Sequence, residues 1–119
     1  MEKDTKTVIV SKNYTILDTI QSFQVNHERV ALVEDNNKII GLVSQGDILK
    51  ELSRGVHMHS LIENIMNQNF RYMTTRDLEK AYKLFKKHKL TMIPVLSGDN
   101  TLIDIITLDD IYDYLENKR

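Results

Sequence analysis

Apolar residues along the chain switch between two spacings, and the switches outline a series of short strands and amphipathic helices. Residues 8–10 form a short apolar run, followed by a polar break at 11–14. From Thr15 onward, Ile16, Ile20 and Phe23 recur at helical spacing. Asp18, three residues after Thr15, supplies the second half of a capping box, so the pattern predicts a helix ending near Asn26. Residues 30–33 are rich in β-branched side chains, 35–38 carry turn residues and 39–43 form another apolar run, which together predict a β-hairpin. Ser44 to Asp47 opens a second helix, with apolar positions at Ile48, Leu49 and Leu52 and a stop near Gly55.

The second half repeats this order. Thr75 and Asp77 open a helix with Leu78, Ala81, Leu84 and Phe85 on one face and Lys80, Lys83, Lys86 and Lys87 on the other. Strands are predicted at 92–96 and 102–107, a turn at 97–100 and a last helix at 108–115. Phe23 and Phe85 stand 62 positions apart, whereas Val33 and Leu96, Ser44 and Thr107, and Asp47 and Asp110 stand 63 apart. This register defines an internal repeat, with the one-residue difference expected at the helix-to-strand junction. Between the copies, 56–60 reads as a loop and 61–66 as a short helical linker. The boundaries expected are repeat one at about 7–57, a linker at 58–66 and repeat two at about 67–119, all within one module. A unit of this size buries too little alone, so the two copies should pack about a pseudo-twofold axis with a ligand in the cleft between them. Pro94, inside a predicted strand, suits an edge and leaves part of that strand's backbone free for another partner.

Composition narrows the class. The chain has 119 residues, 41% hydrophobic and 28% charged, the balance of a globular domain. A formal net charge of -1 gives no basic surface for nucleic acid or an anionic membrane, so any anion must be held locally. With no Cys there is no disulfide framework, thiolate nucleophile or Cys-ligated zinc, which fits a reducing cytosol. Residues 1–6 lack the apolar core of a signal peptide, and no stretch approaches the roughly 20 apolar residues of a spanning helix. The expected location is the cytoplasm.

The sharpest chemical signal is a pair of segments, Gly41-Leu42-Val43-Ser44-Gln45-Gly46-Asp47-Ile48 and Asp104-Ile105-Ile106-Thr107-Leu108-Asp109-Asp110-Ile111. In each, an apolar strand ends in a hydroxyl residue, and an Asp follows three positions on, one turn into a helix. One reading is a capping box. The other uses the same geometry for a ligand: a helix N-terminus offers N–H groups and a favourable dipole to phosphate, and the carboxylate can accept both hydroxyls of a ribose. The two readings are compatible.

These segments, with Val30-Ala31-Leu32-Val33 and Met92-Ile93-Pro94-Val95-Leu96 before them, resemble the tandem cystathionine β-synthase (CBS) domain pair, or Bateman module, from about Thr7 to Leu115. Gly46-Asp47-Ile48 and Ile65-Met66-Asn67 look most like CBS pairs that precede sugar-phosphate nucleotidyltransferases. The resemblance implies an α/β (α+β) fold of two β-α-β-β-α repeats. It implies a regulatory module without catalysis or a cofactor of its own, which senses AMP, ADP or ATP, forms a homodimer and acts on a fused or associated nucleotidyltransferase. Carried over by position, Asp47 and Asp110 would hold ribose hydroxyls, and Ser44 and Thr107 would lie against ribose or phosphate. Arg29, Val30 and Ala31, with Met92, Ile93 and Pro94, would supply backbone and apolar contacts to a base. The chain departs from the family pattern with Asp104 in place of Gly, Ala31 in place of Pro, and Ser44 as the less usual hydroxyl. An acidic residue at 104 facing the cleft would repel phosphate. A nucleotide-independent dimerisation module is the alternative reading.

Other residues carry weaker chemistry. His57-Met58-His59 lacks a third ligand at metal spacing and reads as an exposed loop. His88, in Lys86-Lys87-His88-Lys89, reads as part of a solvated helix end. Arg71 and Tyr72 precede the second-half helix as Ile9 and Val10 precede the first, and Tyr112 and Tyr114 read as packing or dimer contacts. No Gly-rich phosphate loop and no Ser/His/Asp arrangement is present.

Overall fold

In the computed structural model, which describes residues 8–90 and 92–118, the chain divides between Phe70 and Arg71. The first unit contains β1 (Val8–Ser11), α1 (Ile16–Asn26), β2 (Val30–Asp35), β3 (Lys38–Ser44) and α2 (Gln45–Ser53). Its sheet runs β1-β2-β3, with β1 parallel and β3 antiparallel to the central β2. The apolar runs read from the sequence are divided between two faces by the strand's period of two: Val8 and Val10 are buried while Ile9 between them is exposed, and Ile39, Gly41 and Val43 are buried along β3. Val8, Val10, Ala31, Val33 and Val43 pack with Ile16 and Phe23 of α1, Ile48 of α2, and Ile62.

Asn36 and Asn37 form the two-residue turn between β2 and β3, with φ of 53° and 67°. Two left-handed residues are the signature of a type I′ hairpin, and Asn tolerates that region through local hydrogen bonding. α2 presents Ile48 to the core and leaves Leu49 63% exposed, so Leu49 belongs to the solvent side and not to the expected apolar stripe. Of the expected helical linker only Ile62–Asn64 is helical, as one 3₁₀ turn. The segment around it is bonded to the first unit: Ile16 N donates to Ser60 O (2.9 Å), Leu17 N to Met58 O (3.0 Å), and Asn67 and Leu42 exchange two backbone bonds (2.8 and 3.0 Å).

The second unit contains α3 (Leu78–Lys87), β4 (Met92–Leu96), β5 (Leu102–Thr107) and α4 (Leu108–Lys118). α4 continues one turn past the expected end at Leu115. The paired β4 and β5 present Ile93, Val95 and Ile106 to Met73, Ala81 of α3 and Ile111 of α4. Met73 stands beside β4 as β1 stands beside β2, through a single parallel rung in which Met73 N donates to Pro94 O (3.0 Å) and Leu96 N to Met73 O (2.8 Å). Pro94 thus turns its missing N–H away from β5, toward the Met73 side, and no rung of the β4–β5 ladder is lost. That side of β4, expected to be free, is engaged by Met73.

Strand pairing also relocates the inserted residue. Val33 lies opposite Gly41 and Val95 opposite Asp104, each just before an irregularity in its ladder. The repeat offset is therefore 62 from α1 and α3 through β2 and β4, and becomes 63 in the hairpin loop. There, Gly98 to Asn100 replace the two-residue Asn36-Asn37 turn, inside the Ser97 N to Thr101 O bond (2.9 Å). The counterpart of Pro94 is accordingly Leu32, not Ala31. A one-residue slip of this kind exchanges the two faces of a strand.

Candidate functional site

Three helices begin with the same hydroxyl-and-carboxylate arrangement, and the structure separates them by what happens to their remaining N–H donors. At α1, Thr15 Oγ1 accepts from Asp18 N (3.0 Å) and Asp18 Oδ2 accepts from Thr15 N (2.9 Å). Ser60 and Met58 carbonyls take the Ile16 and Leu17 donors, so the whole first turn is satisfied by protein. The two backbone and side-chain hydrogen bonds to Thr15, with a smaller pull from His59, hold the Asp18 carboxyl below its ordinary value of 3.8.

At α2 the box forms again. Ser44, in extended conformation at the end of β3, accepts from Asp47 N (3.1 Å) and donates its own N–H to Asp47 Oδ2 (3.2 Å). Gln45 N donates to Arg29 O (2.8 Å), which ties the box to the lead-in of β2, and Val30 pairs with Ser44. Among the described residues, neither Gly46 N–H nor Asp47 Oδ1 has a protein hydrogen-bond partner. Arg29, Ser44 and Asp47 are thus brought together, with one free donor and one free acceptor at the positive end of a helix.

At α4, Thr107 Oγ1 accepts from Asp110 N (3.2 Å) and Asp110 Oδ2 accepts from Thr107 N (2.8 Å), while Met92 pairs with Thr107. An additional residue, Arg76, enters here. Its Nη1 donates to Asp104 Oδ2 and to Ile105 O, each at 3.2 Å, and its Nη2 lies 3.6 Å from Asp110 Oδ2. Asp104 therefore does not stand as an uncompensated charge, since a guanidinium pairs with it. Arg76 and Asp110 border an open groove of about 400 Å³, completed by Leu78, Asp113, Tyr114, Asn117 and Lys118. Arg76 escaped the sequence reading because its carboxylate partners lie 28 and 34 residues further along the chain. Its one local mark is its place just before the N-cap Asp77, whose carboxylate accepts from Lys80 N (3.1 Å).

The remaining candidates separate by face. Ala31 and Ile93 point into the two hydrophobic cores, so their side chains are committed to packing. Val30 and Leu32, and Met92 and Pro94, lie on the opposite faces of their strands and are buried there as well. The His57 and His59 rings are exposed and 5.1 Å apart, and no group of three metal-ligating side chains occurs among the described residues. His88 is half-buried, and partial desolvation together with Arg71 and Lys87 lowers its pKa below 6.5. Tyr72 is half-exposed and Tyr112 60% exposed, while Tyr114 borders the groove.

Two copies of a helix, hairpin and helix unit, each with a hydroxyl-and-carboxylate box where its last helix begins, define a tandem-repeat module. The chain belongs to the CBS-domain family, whose profile matches it twice, over residues 3–54 and 62–117. CBS pairs are regulatory and non-catalytic, and this chain is such a pair. A homoserine O-acetyltransferase of Methanobrevibacter ruminantium is 30% identical over an alignment of 115 residues that covers 93% of this chain and 22% of that protein. An uncharacterized protein of Methanocaldococcus jannaschii is 24% identical over 92% of this chain and 36% of its own length. The chain thus spans well under half of either relative. Among solved structures, a CBS domain pair/ACT domain protein from Thermotoga maritima matches with a TM-score of 0.76 at 18% identity, over 94% of this chain and 90% of that one. The cytosolic domain of the Mg2+ channel MgtE in complex with ATP matches with a TM-score of 0.77 at 22% identity, over 92% of this chain and 45% of that one. At these identities the structural matches show the fold. Among the described residues no helix is long and apolar enough to cross a membrane.

Proposed function

We propose that this CBS pair senses an adenine nucleotide at one or both of its repeat-related boxes and transmits the occupancy to a catalytic domain fused to it or associated with it. The observation that carries the reading is the Ser44/Asp47 box. One carboxylate oxygen closes the cap, and the other, with Gly46 N–H, is left without a protein partner among the described residues. A ribose diol suits the carboxylate, and a phosphate suits the donors and dipole of the helix end. ATP in the MgtE structure supports the ligand class. Nucleotide binding would shift the population of module conformations, and an attached domain would respond to that shift. A nucleotidyltransferase is the proposed partner, from the likeness of Gly46-Asp47-Ile48 and Ile65-Met66-Asn67, with a cytoplasmic homodimer as the working form. Calorimetric titration with AMP, ADP, ATP and GTP tests the ligand. Adenine nucleotides should bind below millimolar concentration, and Asp47→Ala should weaken them at least tenfold while the circular dichroism stays unchanged. Absence of any binding below millimolar overturns the reading. The partner is tested by assaying nucleotidyl transfer by the native full-length protein with and without the effector.

A second reading, a dimerisation module indifferent to nucleotides, is favoured by one observation: Asp110 already has Arg76 beside it in the second repeat. Sedimentation with and without nucleotide separates the two, since this reading requires a tight dimer that ATP leaves unchanged.

A further inference from the structure

The two repeats differ at a matched pair of positions. Gly41 of the first corresponds to Asp104 of the second, because each lies opposite the matching valine of the preceding strand. Tyr14, just before the N-cap Thr15, corresponds to Arg76, just before the N-cap Asp77. Both members of the second-repeat pair are ionic, and they contact one another: Arg76 Nη1 is anchored on β5 by Asp104 Oδ2 and Ile105 O, both at 3.2 Å. Asp104 is itself oriented by accepting Ile105 N at 2.7 Å through Oδ1. With Nη1 held on the strand, Nη2 is presented 3.6 Å from Asp110 Oδ2, at the edge of the groove. The repeats also place their arginines differently, since Arg29, which leads into β2, has Thr91 as its counterpart in sequence.

We infer that Arg76, positioned by Asp104, is the residue that reads the phosphate of a nucleotide whose ribose is held by Asp110. This rests on the nucleotide reading above and adds that the second repeat discriminates nucleotide from nucleoside through a guanidinium that the first repeat has no means of holding. A guanidinium has five donors in a planar fork. Two contacts of Nη1 anchor the group, and Nη2 stands beside the Asp110 carboxylate, where a 5′-phosphate would follow the ribose. Asp104 thereby acts as a positioning group for the phosphate-binding residue.

The test titrates AMP and adenosine into the full chain carrying Asp47→Ala, so that the second repeat is read alone, and then adds Arg76→Ala, Arg76→Lys or Asp104→Asn. Arg76→Ala should weaken AMP roughly tenfold, the scale of one charge-assisted hydrogen bond, and leave adenosine unchanged. Arg76→Lys, which keeps the charge without the fork, should fall between. Asp104→Asn should lower AMP affinity in the same direction by less. Unchanged circular dichroism establishes that the variants are folded. If AMP and adenosine change in parallel, or AMP binds more tightly without Arg76, the guanidinium is only a competitor for Asp110 and the inference is overturned. Binding to the parent chain but none to the Asp47→Ala chain overturns this inference and spares the nucleotide reading. No binding of either compound to the parent chain removes both.

Discussion

Met66 closes over Gly41 so tightly that a Cβ on the glycine would stand 2.7 Å from Met66 Cγ. The contact exists because Asn67 and Leu42 exchange backbone hydrogen bonds, which draws residues 65–67 along β3 and lays the methionine across the only position there that has no side chain. At the matching position in the second repeat, Asp104 carries a carboxylate that pairs with Arg76.

Gly41→Ala is therefore expected to destabilise the first unit by about 1–3 kcal/mol, the range for overpacking, toward the low end because a methionine can bend. Adding Met66→Ala should recover part of that loss. Urea denaturation of the two single variants and the double variant measures the coupling, and additive losses would show that the two side chains do not compete for the same space.

The capping hydroxyls should contribute independently of any ligand. Ser44→Ala and Thr107→Ala each remove an acceptor from an early helix N–H, and each should cost about 1 kcal/mol. Ser44→Thr should be near neutral, since the hydroxyl remains. Shifts in the urea midpoint at constant slope check this. A loss of nucleotide binding that exceeds the loss of stability would separate the ligand role of these groups from their capping role.

The turn at Asn36-Asn37 makes a local prediction. Asn37 has φ of 67°, so Asn37→Val would force a β-branched residue into the left-handed region at a cost of about 1–2 kcal/mol. Asn37→Gly should match or slightly exceed the parent in thermal stability, because Asn-Gly is the preferred pair in this turn.

Two groups give stability a pH dependence in separate windows. Asp18 has a depressed pKa in the folded chain, so its stabilising contribution is complete above its unfolded value near 3.8 and is lost as the pH falls through the lower folded value. His88 has a folded pKa below 6.5, so the unfolded chain binds more protons, and stability should decline as the pH drops below about 6.5. Denaturation midpoints between pH 8 and 5 should show a slope that His88→Gln removes and Asp18→Asn leaves in place. A slope that persists in the glutamine variant would assign it to another group.

The order of elements, the Thr15/Asp18 and Ser44/Asp47 boxes and the matching Thr107/Asp110 pair were all legible in the sequence. Each depends on residues three or four apart or on a simple alternation, so the neighbours along the chain already carry the physics. The hairpin turn within 35–38 and the hydrophobic faces of α1 and α3 belong to the same class, while the left-handed pair Asn36-Asn37 that makes the turn type I′ was seen in the structure. What the sequence did not reveal lies in pairing across distance. The inserted residue sits in the second hairpin loop and not before the strand, because cross-strand hydrogen bonding sets the register and local propensity does not distinguish the two placements. With that placement Leu32 is the counterpart of Pro94 in the repeat, and Ala31 and Ile93 are counterparts that both face a core. Leu49 looked apolar enough for the core and lies outside it, because the rotation of α2 was chosen by Ile48. Likewise, the segment read as a linker supplies the carbonyls that satisfy α1, which sets its box apart from those at α2 and α4. Arg76 is the clearest case: as a lone basic residue before a helix it carries no distinguishing pattern, and only the folding of β5 and α4 beside it brings Asp104 and Asp110 to the same guanidinium. Local hydrogen bonds and periodicity are written in consecutive residues, whereas the meeting of charges 28 and 34 positions apart is decided by strand register and helix packing.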